Sequence, residues 1–202
     1  MIAIIDYGVG NLFSLSSSLK FIGLDCLVTS KREDIEAADK IILPGVGAFG
    51  DAMAKLRERG LVDTIREQAG QKPLLGICLG MQLLFEKSYE YGEHEGLKLI
   101  DGVVASLAAD INPDLKVPHM GWNRLYVLKD DPVFRYFKSG EWVYYVHSYY
   151  AKSCRESTLA ASEYEVTVPG LVRSGLVYGA QFHPEKSGEA GLRLLRGFAE
   201  LK

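Results

Sequence analysis

The segment Pro73–Gln82 constrains the fold more than any other, because a short apolar run leads straight into the pattern Gly-x-Cys-x-Gly. A helix pattern over Met81–Glu86 follows at once. A strand, a tight turn and a helix with a reactive side chain at the turn form a nucleophile elbow. Gly76 and Gly80 leave room that a Cβ atom would fill, and the helix N-terminus behind Cys78 favours a thiolate. The alternative is a buried structural cysteine, since cysteine is among the most buried residue types.

A histidine and a glutamate near the other end of the chain supply the partners that a nucleophilic cysteine needs. Residues 179–185 read Gly-Ala-Gln-Phe-His-Pro-Glu and follow a strand-like run. His183 and Glu185 are two residues apart, so in extended backbone they point to the same side, and Pro184 biases His183 away from the helical region. A carboxylate that orients an imidazole, which in turn takes the thiol proton, is the arrangement of a catalytic triad. We therefore predict Cys78 as nucleophile, His183 as base and Glu185 as the orienting acid.

Apolar runs alternate with helix patterns through the first half of the chain. The predicted strands are Ile2–Ile5, Leu27–Thr29, Lys40–Leu43 and Leu74–Ile77, and the predicted helices are Leu12–Ile22, Gly50–Arg59 and Leu61–Gln71. This alternation indicates a parallel sheet that is covered on both faces.

After about residue 100 the pattern changes to alternating strands with little helix. The predicted strands are Gly102–Leu107, Asn123–Leu128, Trp142–Val146, Leu159–Glu163, Gly170–Arg173 and Leu176–Gln181, and a last helix covers Ser187–Leu201. We therefore predict an α/β fold with a central, mostly parallel sheet flanked by helices, to which the C-terminal half adds antiparallel strands. At 202 residues, a single domain over residues 1–202 is the expectation.

Composition and charge exclude several classes of function. The net charge is -3, and the absence of a Lys/Arg run argues against a nucleic-acid partner. The three cysteines form neither a metal-ligand spacing nor a disulfide framework, which suits a reducing cytoplasm. The run Met1–Ile5 leads directly into Asp6 and reads as a first strand instead of a signal peptide. The apolar runs are too short to cross a membrane.

Glycines in the loop Pro44–Gly47, which ends the third predicted strand, predict an oxyanion hole. In sheets of this kind ligands collect beyond the carboxyl ends of the strands, where Cys78 also lies. Glycine lets backbone N–H groups point into such a site, and attack on an amide needs donors aimed at the developing oxyanion. The candidate donors are the Leu79 N–H and one N–H of the Gly45–Gly47 segment, from Val46 or Gly47. The alternative is an ordinary strand-to-helix turn.

These motifs together resemble the class I (triad) glutamine amidotransferases. The elbow and the His-x-Glu pair carry that resemblance. More narrowly, the chain is similar to the glutaminase subunits of imidazole glycerol phosphate synthases in four further segments, which are Asp6–Asn11, Leu43–Gly50, Pro118–Asn123 and Tyr144–Tyr149. The segments span nearly the whole chain in the expected order.

The resemblance implies an enzyme that hydrolyses L-glutamine to glutamate and ammonia without a metal or an organic cofactor. It implies that Gln82, Ser148 and Tyr149 hold the substrate, with Gly47 near its carbonyl and a loop that reorients to complete the oxyanion hole. Gln82 also lies one helical turn past Cys78 on the same face. His147 lacks an acid two residues on, so we interpret it as structural.

The resemblance also implies a partner. The ammonia would go to a cyclase subunit of (β/α)₈ form, in a heterodimer that makes imidazole glycerol phosphate and aminoimidazole carboxamide ribotide in histidine biosynthesis. Met120, Trp122, Asn123 and Lys186 would then lie at the interface, and tryptophan is a frequent interface anchor. The alternative for Trp122 is a place in the core.

Two other functions stay open at this stage. One is a triad glutaminase of another synthase, such as anthranilate synthase, against which the Pro118–Asn123 segment argues. The other is a non-catalytic binding or regulatory subunit with the same fold, which would have no need of Cys78, His183 and Glu185 together.

Overall fold

Four strands from the first half of the chain pair in parallel within a nine-stranded sheet in the computed structural model, which describes residues 1–202. These strands are β1 Ile2–Ile5, β2 Cys26–Thr29, β3 Lys40–Leu43 and β4 Leu74–Ile77. The helices that connect them are α1 Leu12–Phe21, α2 Arg32–Ala37, α3 Phe49–Glu58 and α4 Leu61–Ala69. All residues of β1 and β4 are buried, as the continuous apolar runs require of strands covered on both faces.

The rest of the chain extends this sheet and adds a smaller one. Its elements are α5 Leu79–Gln82, β5 Phe85–Ser88, β6 His94–Glu95, β7 Ile100–Ser106, β8 His119–Val127, β9 Glu141–His147, β10 Tyr149–Lys152, β11 Thr158–Tyr164, β12 Val166–Ser174, β13 Val177–Ala180 and α6 Gly188–Ala199. The large sheet has the order β2-β1-β3-β4-β13-β12-β11-β8-β9, and the small sheet has the order β10-β7-β5-β6.

The predicted fold class is confirmed. In the large sheet β13 joins the parallel strands beside β4, and the strands from β12 to β9 continue antiparallel. The antiparallel pairings of the large sheet all involve strands from the C-terminal half, as the change of pattern after residue 100 predicted. The parallel pairing of β4 with β13 brings the end of the elbow strand next to the strand that leads to His183.

Two details of the prediction are wrong. The helix predicted over Met81–Glu86 ends at Gln82, and β5 begins at Phe85. The carbonyls of Leu83 and Leu84 accept hydrogen bonds from the distant Leu97 and Leu99 N–H groups, so they do not continue a helix. The strand predicted over Gly102–Leu107 is β7 of the small sheet and does not extend the large one.

The core lies on both faces of the large sheet. One buried cluster joins Ile5 of β1 to Leu56 and Ile65 of α3 and α4, and it includes Val104 of the small sheet. The other joins Ile4 to Leu194 of α6. Successive residues of a strand point to opposite faces, so β1 contributes to both clusters. No helix is long and apolar enough to span a membrane.

Candidate active site

Cys78 occupies a strained turn between β4 and α5. Its backbone has φ 54 and ψ -111, and a non-glycine residue with positive φ costs on the order of 1–3 kcal/mol, which the surrounding structure must offset. Its N–H donates to the Ala180 carbonyl at 2.7 Å. A Cβ atom on Gly80 would lie 1.8 Å from the Leu43 carbonyl oxygen, and one on Gly76 would lie 2.5 Å from that of Gly80. The structure therefore leaves no room for a Cβ atom at either glycine, as the sequence analysis expected.

His183 and Glu185 form a buried pair. Nδ1 of His183 lies 2.8 Å from Oε1 of Glu185, and both side chains are 3% exposed. The backbone that achieves this differs from the prediction, because Pro184–Lys186 is a turn of 3₁₀ helix and only His183 is extended. Proline at the first position of a helical turn loses no hydrogen bond and has a suitable φ. The contact between His183 and Glu185 is therefore as predicted, but the extended backbone predicted for residues 183–185 is wrong.

The imidazole of His183 is held in a charged state by its surroundings. Burial lowers the pKa of His183, but the neighbouring Cys78 and then Glu185 outweigh that effect and raise the pKa to about 9. The Nε2 atom of the ring is buried and makes no hydrogen bond, so it is the nitrogen available to the sulfur and to a bound molecule. A positively charged imidazole beside a cysteine stabilises the thiolate.

A pocket of about 390 Å³ opens on Cys78 and His183. The residues predicted for the oxyanion hole and for substrate binding all line it, and they are Val46, Gly47, Leu79, Gln82, Ser148 and Tyr149. Gly47 has φ +98, a conformation that favours glycine. A nucleophile, a charged imidazole and backbone N–H groups around one pocket can attack a carbonyl carbon and stabilise the oxyanion.

Comparison with known proteins decides the family. The class I glutamine amidotransferase family matches residues 3–200. A HisH subunit of imidazole glycerol phosphate synthase from Listeria monocytogenes is 52% identical over 202 residues, which is 100% of this chain and 96% of that protein. The chain belongs to the class I glutamine amidotransferases. A HisH subunit from Bacillus cytotoxicus is also 52% identical, over 98% of this chain and 93% of the relative.

Solved structures of other amidotransferases share the fold. A structure described as a glutamine amidotransferase has a TM-score of 0.76 at 23% identity and covers 99% of this chain and 98% of its own. A glutamine amidotransferase from Thermotoga maritima has a TM-score of 0.63 at 17% identity and covers 98% of this chain and 82% of its own. At these identities the likeness concerns the fold alone.

The side-chain amide nitrogen of Gln82 in this amidotransferase is already hydrogen-bonded within the protein. Its Nε2 donates to the Tyr149 carbonyl at 2.9 Å and to Oε1 of Gln181 at 3.0 Å. Both amide protons are therefore used within the protein, and only the Oε1 acceptor remains for a ligand.

Glu90 is a pocket residue that the sequence did not reveal. It lines the same pocket as Cys78, and its Oε2 accepts a hydrogen bond from the N–H of Phe49 at the start of α3, at 2.6 Å. Burial raises the pKa of its carboxyl. No motif surrounds Glu90, and only the course of the chain after β5 brings it to the site, so sequence spacing carried no signal for it.

The residues predicted for the partner interface divide into two groups. Met120 and Trp122 are 65% and 53% exposed on one face of β8, which excludes the core alternative for Trp122. Lys186 is also exposed, with its Nζ 6.0 Å from the centre of the Tyr144 ring. Asn123 differs, because its Nδ2 donates to the Glu163 carbonyl at 2.9 Å and neighbouring residues of a strand point to opposite faces.

Proposed function

We propose that this amidotransferase hydrolyses L-glutamine through Cys78, His183 and Glu185. The observation that carries the proposal is the strained Cys78 beside a charged, carboxylate-bound His183 at one pocket. The membership of the class I family and the identity to the HisH subunits support it.

The reaction has two steps. The Cys78 thiolate attacks the side-chain amide carbon of glutamine, and the C–N bond breaks as His183 gives its proton to the departing nitrogen. Ammonia leaves a γ-glutamyl thioester on the sulfur. Water then attacks the thioester and gives a proton to His183, which releases glutamate and restores the imidazolium beside the thiolate. Glu185 orients the imidazole and stabilises its charge, as the acid of a triad does.

Stabilisation of the tetrahedral oxyanion falls to backbone donors at the pocket. We assign this role to the Leu79 N–H and to an N–H of Val46 or Gly47, since all three residues line the pocket beside Cys78. Loss of one such donor typically costs about 10²–10³ in rate.

Recognition of the amino-acid end of glutamine uses charge as well as shape. The Glu90 carboxylate and the free Oε1 of Gln82 are acceptors suited to the α-ammonium group, and Ser148 and Tyr149 line the same pocket for the α-carboxylate. Burial raises the pKa of the Glu90 carboxyl, and an ammonium group beside it would lower that pKa again.

The ammonia passes to a cyclase subunit in this proposal, and the two chains form an imidazole glycerol phosphate synthase of histidine biosynthesis. The relatives are named as subunits of that synthase. The docking face that we propose consists of Met120, Trp122, Tyr144 and Lys186, which we call the β8–β9 face. Trp122 and Tyr144 pair across the two strands with ring centres 6.0 Å apart. Nothing in the structure favours anthranilate synthase or a non-catalytic role.

The β8–β9 face is directly connected to the triad. The Tyr144 carbonyl accepts a hydrogen bond from the His183 N–H at 2.9 Å, and the Val146 carbonyl lies 3.8 Å from the Cys78 sulfur. A partner that shifts β9 would therefore move the groups beside the nucleophile. We propose that the isolated subunit is nearly silent and that the cyclase activates it.

A single amidotransferase domain over residues 1–202 and a cytoplasmic location complete the proposal. The match to the family over residues 3–200 supports the first. The three cysteines are free, as is usual in a reducing compartment, which supports the second.

A glutamine-analogue electrophile, such as a diazo-ketone analogue, tests the nucleophile. It should label Cys78, because binding places the reactive carbon at the sulfur. Burial raises the pKa of the Cys26 and Cys154 thiols, so they should remain unlabelled. Peptide mass spectrometry locates the label, and excess glutamine should protect against it. Labelling of Cys26 or Cys154 ahead of Cys78 would show that the nucleophile is assigned wrongly.

A further inference from the structure

Two buried histidines outside the triad face each other at the ends of paired strands. His119 begins β8 and His147 ends β9, and they are partners in the register of the two strands. Nδ1 of His119 lies 2.9 Å from Nε2 of His147. The ring of His119 is stacked between Tyr145 and Tyr164, with ring centres 4.7 and 4.2 Å away. The packing therefore fixes the orientation of the pair.

The hydrogen bonds around the pair determine where its protons lie. Nδ1 of His147 is 3.0 Å from the Tyr149 carbonyl, which can only accept, so this nitrogen carries the proton. Nε2 of His147 then accepts from His119, and Nε2 of His119 accepts from the Asn123 amide at 3.2 Å. Every ring nitrogen is satisfied when both histidines are neutral. Burial supports that state, because it lowers the pKa of His119 to about 4 and that of His147 to about 3.

The chain of hydrogen bonds ends at the glutamine pocket. The Tyr149 carbonyl accepts from His147 and also from Nε2 of Gln82 at 2.9 Å. His147 and the two residues that follow it line the pocket together with Gln82. The pair is thus bonded to the backbone of the segment that carries the proposed substrate ligands. His147 is not a second base, since both of its nitrogens are committed.

We propose that His119 and His147 are positioning residues for glutamine, which hold the Tyr149 carbonyl and, through it, the side chain of Gln82. This inference rests on the proposed function, because it assigns the pair to the same pocket. If the two histidines served only the core, apolar side chains would replace them without loss of binding, since a buried polar network is costly unless it is fully paired. The role assigned to them predicts an effect on glutamine affinity that exceeds any effect on the fold.

Two substitutions of His147 separate hydrogen bonding from packing. His147→Asn keeps an amide nitrogen near the place of Nδ1, so it can still donate to the Tyr149 carbonyl. His147→Phe keeps the ring shape and removes the donor. Both variants lose the nitrogen that accepts the hydrogen bond from His119, so their free energies of unfolding should fall by similar amounts. Tyr145→Phe is the matched control, because it breaks the buried hydrogen bond from Tyr145 to Ser162 beside the same rings but outside the chain of bonds.

Glutamine binding is measured by calorimetry in a Cys78→Ala background, which binds without turnover. We expect His147→Phe to raise Kd about tenfold, the effect of roughly one lost hydrogen bond. His147→Asn and Tyr145→Phe should stay within about threefold of the parent. In chains that retain Cys78, assayed with the cyclase, His147→Phe should raise KM far more than it lowers kcat.

Several outcomes would overturn the inference. One is an unchanged Kd for glutamine in His147→Phe. The others are an equal rise in Kd in His147→Asn and His147→Phe, or a rise in Tyr145→Phe that equals the rise in His147→Phe. Should His147→Phe fail to fold, the same two substitutions at His119 give the test, since Asn again keeps the donor that His147 requires. A Cys78→Ala chain that binds no glutamine at all would instead refute the proposed function, and the inference with it.

Discussion

At the scale of single residues, the chemistry of this amidotransferase depends on what surrounds His183. Burial disfavours its charged form, while Cys78 and Glu185 favour it, and the balance places the pKa at about 9. The imidazolium therefore persists above neutral pH and is lost as the pH rises through that value. The proton needed by the leaving nitrogen is thus on His183 before glutamine is attacked.

Removal of Cys78 should lower the pKa of His183. In Cys78→Ala the largest influence that raises it is gone, while burial still lowers it and Glu185 still raises it. We expect a fall of about one unit or more, measured by NMR titration of the His183 ring. Cys154→Ala is the control, since this buried cysteine lies away from the pocket lining. A pKa of His183 that stays the same in Cys78→Ala would mean that sulfur and imidazole do not form a pair.

At the scale of elements, the strand–turn–helix around Cys78 depends on close contact between backbones. Gly80 packs against the end of β3, where a Cβ would meet the Leu43 carbonyl oxygen at 1.8 Å. Gly80→Ala should therefore lower the free energy of unfolding by about 1–3 kcal/mol or more, as overpacking does. Thermal melting measures the effect. Gly70→Ala is the matched control, because its nearest contact is at 3.8 Å. An equal melting temperature in the two variants would refute this role of Gly80.

Elements with a strong local pattern could be predicted from the sequence, and those defined by tertiary contacts could not. The strands Lys40–Leu43 and Leu74–Ile77 have the predicted bounds, because continuous apolar runs are decisive in buried strands. Helix α2 was not predicted, since Ile35 is its only buried residue. The apolar run after Gln82 reads as helix but forms β5, because its carbonyls bond to residues 97–100.

In the candidate site too, residues in local sequence motifs could be predicted, and residues brought in by tertiary contacts could not. Cys78, His183 and Glu185 belong to sequence motifs that a turn and a triad require, and the structure brings them to one place. Glu90 has no such motif, and the segments that contain His119 and His147 did not predict that the two rings meet. They meet the pocket only through the small sheet and through the β8–β9 register, which no local pattern specifies.

At the scale of the whole molecule, the β8–β9 face lies at one end of the large sheet, beside the triad. β9 is the last strand in the sheet order, and Trp122 and Met120 are exposed next to it. A large exposed aromatic near a functional site is typical of a protein interface. In the proposed complex, a cyclase docked here would reach His183 through the Tyr144 carbonyl, which accepts the His183 N–H.

Substitution on this face should affect assembly and leave the fold intact. Trp122→Ala should raise the Kd for the cyclase about tenfold or more, as expected for a buried anchor. Lys186→Ala should uncouple glutamine hydrolysis from product formation. Binding is measured by calorimetry, and the fold by circular dichroism. Phe21→Ala is the control, since Phe21 is an exposed aromatic on α1. Wild-type binding in Trp122→Ala, or a high glutaminase rate without the cyclase, would contradict the proposed interface and its gating.

The claim that Cys78 produces ammonia for a partner is tested most directly by comparing two nitrogen sources. The complex of the Cys78→Ser chain with the cyclase is supplied with glutamine or with ammonium salt, and formation of imidazole glycerol phosphate is followed. A serine hydroxyl is far less acidic than a thiol, so glutamine-dependent synthesis should be lost. Ammonium salt bypasses the triad, so ammonium-dependent synthesis should match that of the wild-type complex. Retention of glutamine-dependent synthesis by Cys78→Ser, or equal loss with both nitrogen sources, would contradict the claim.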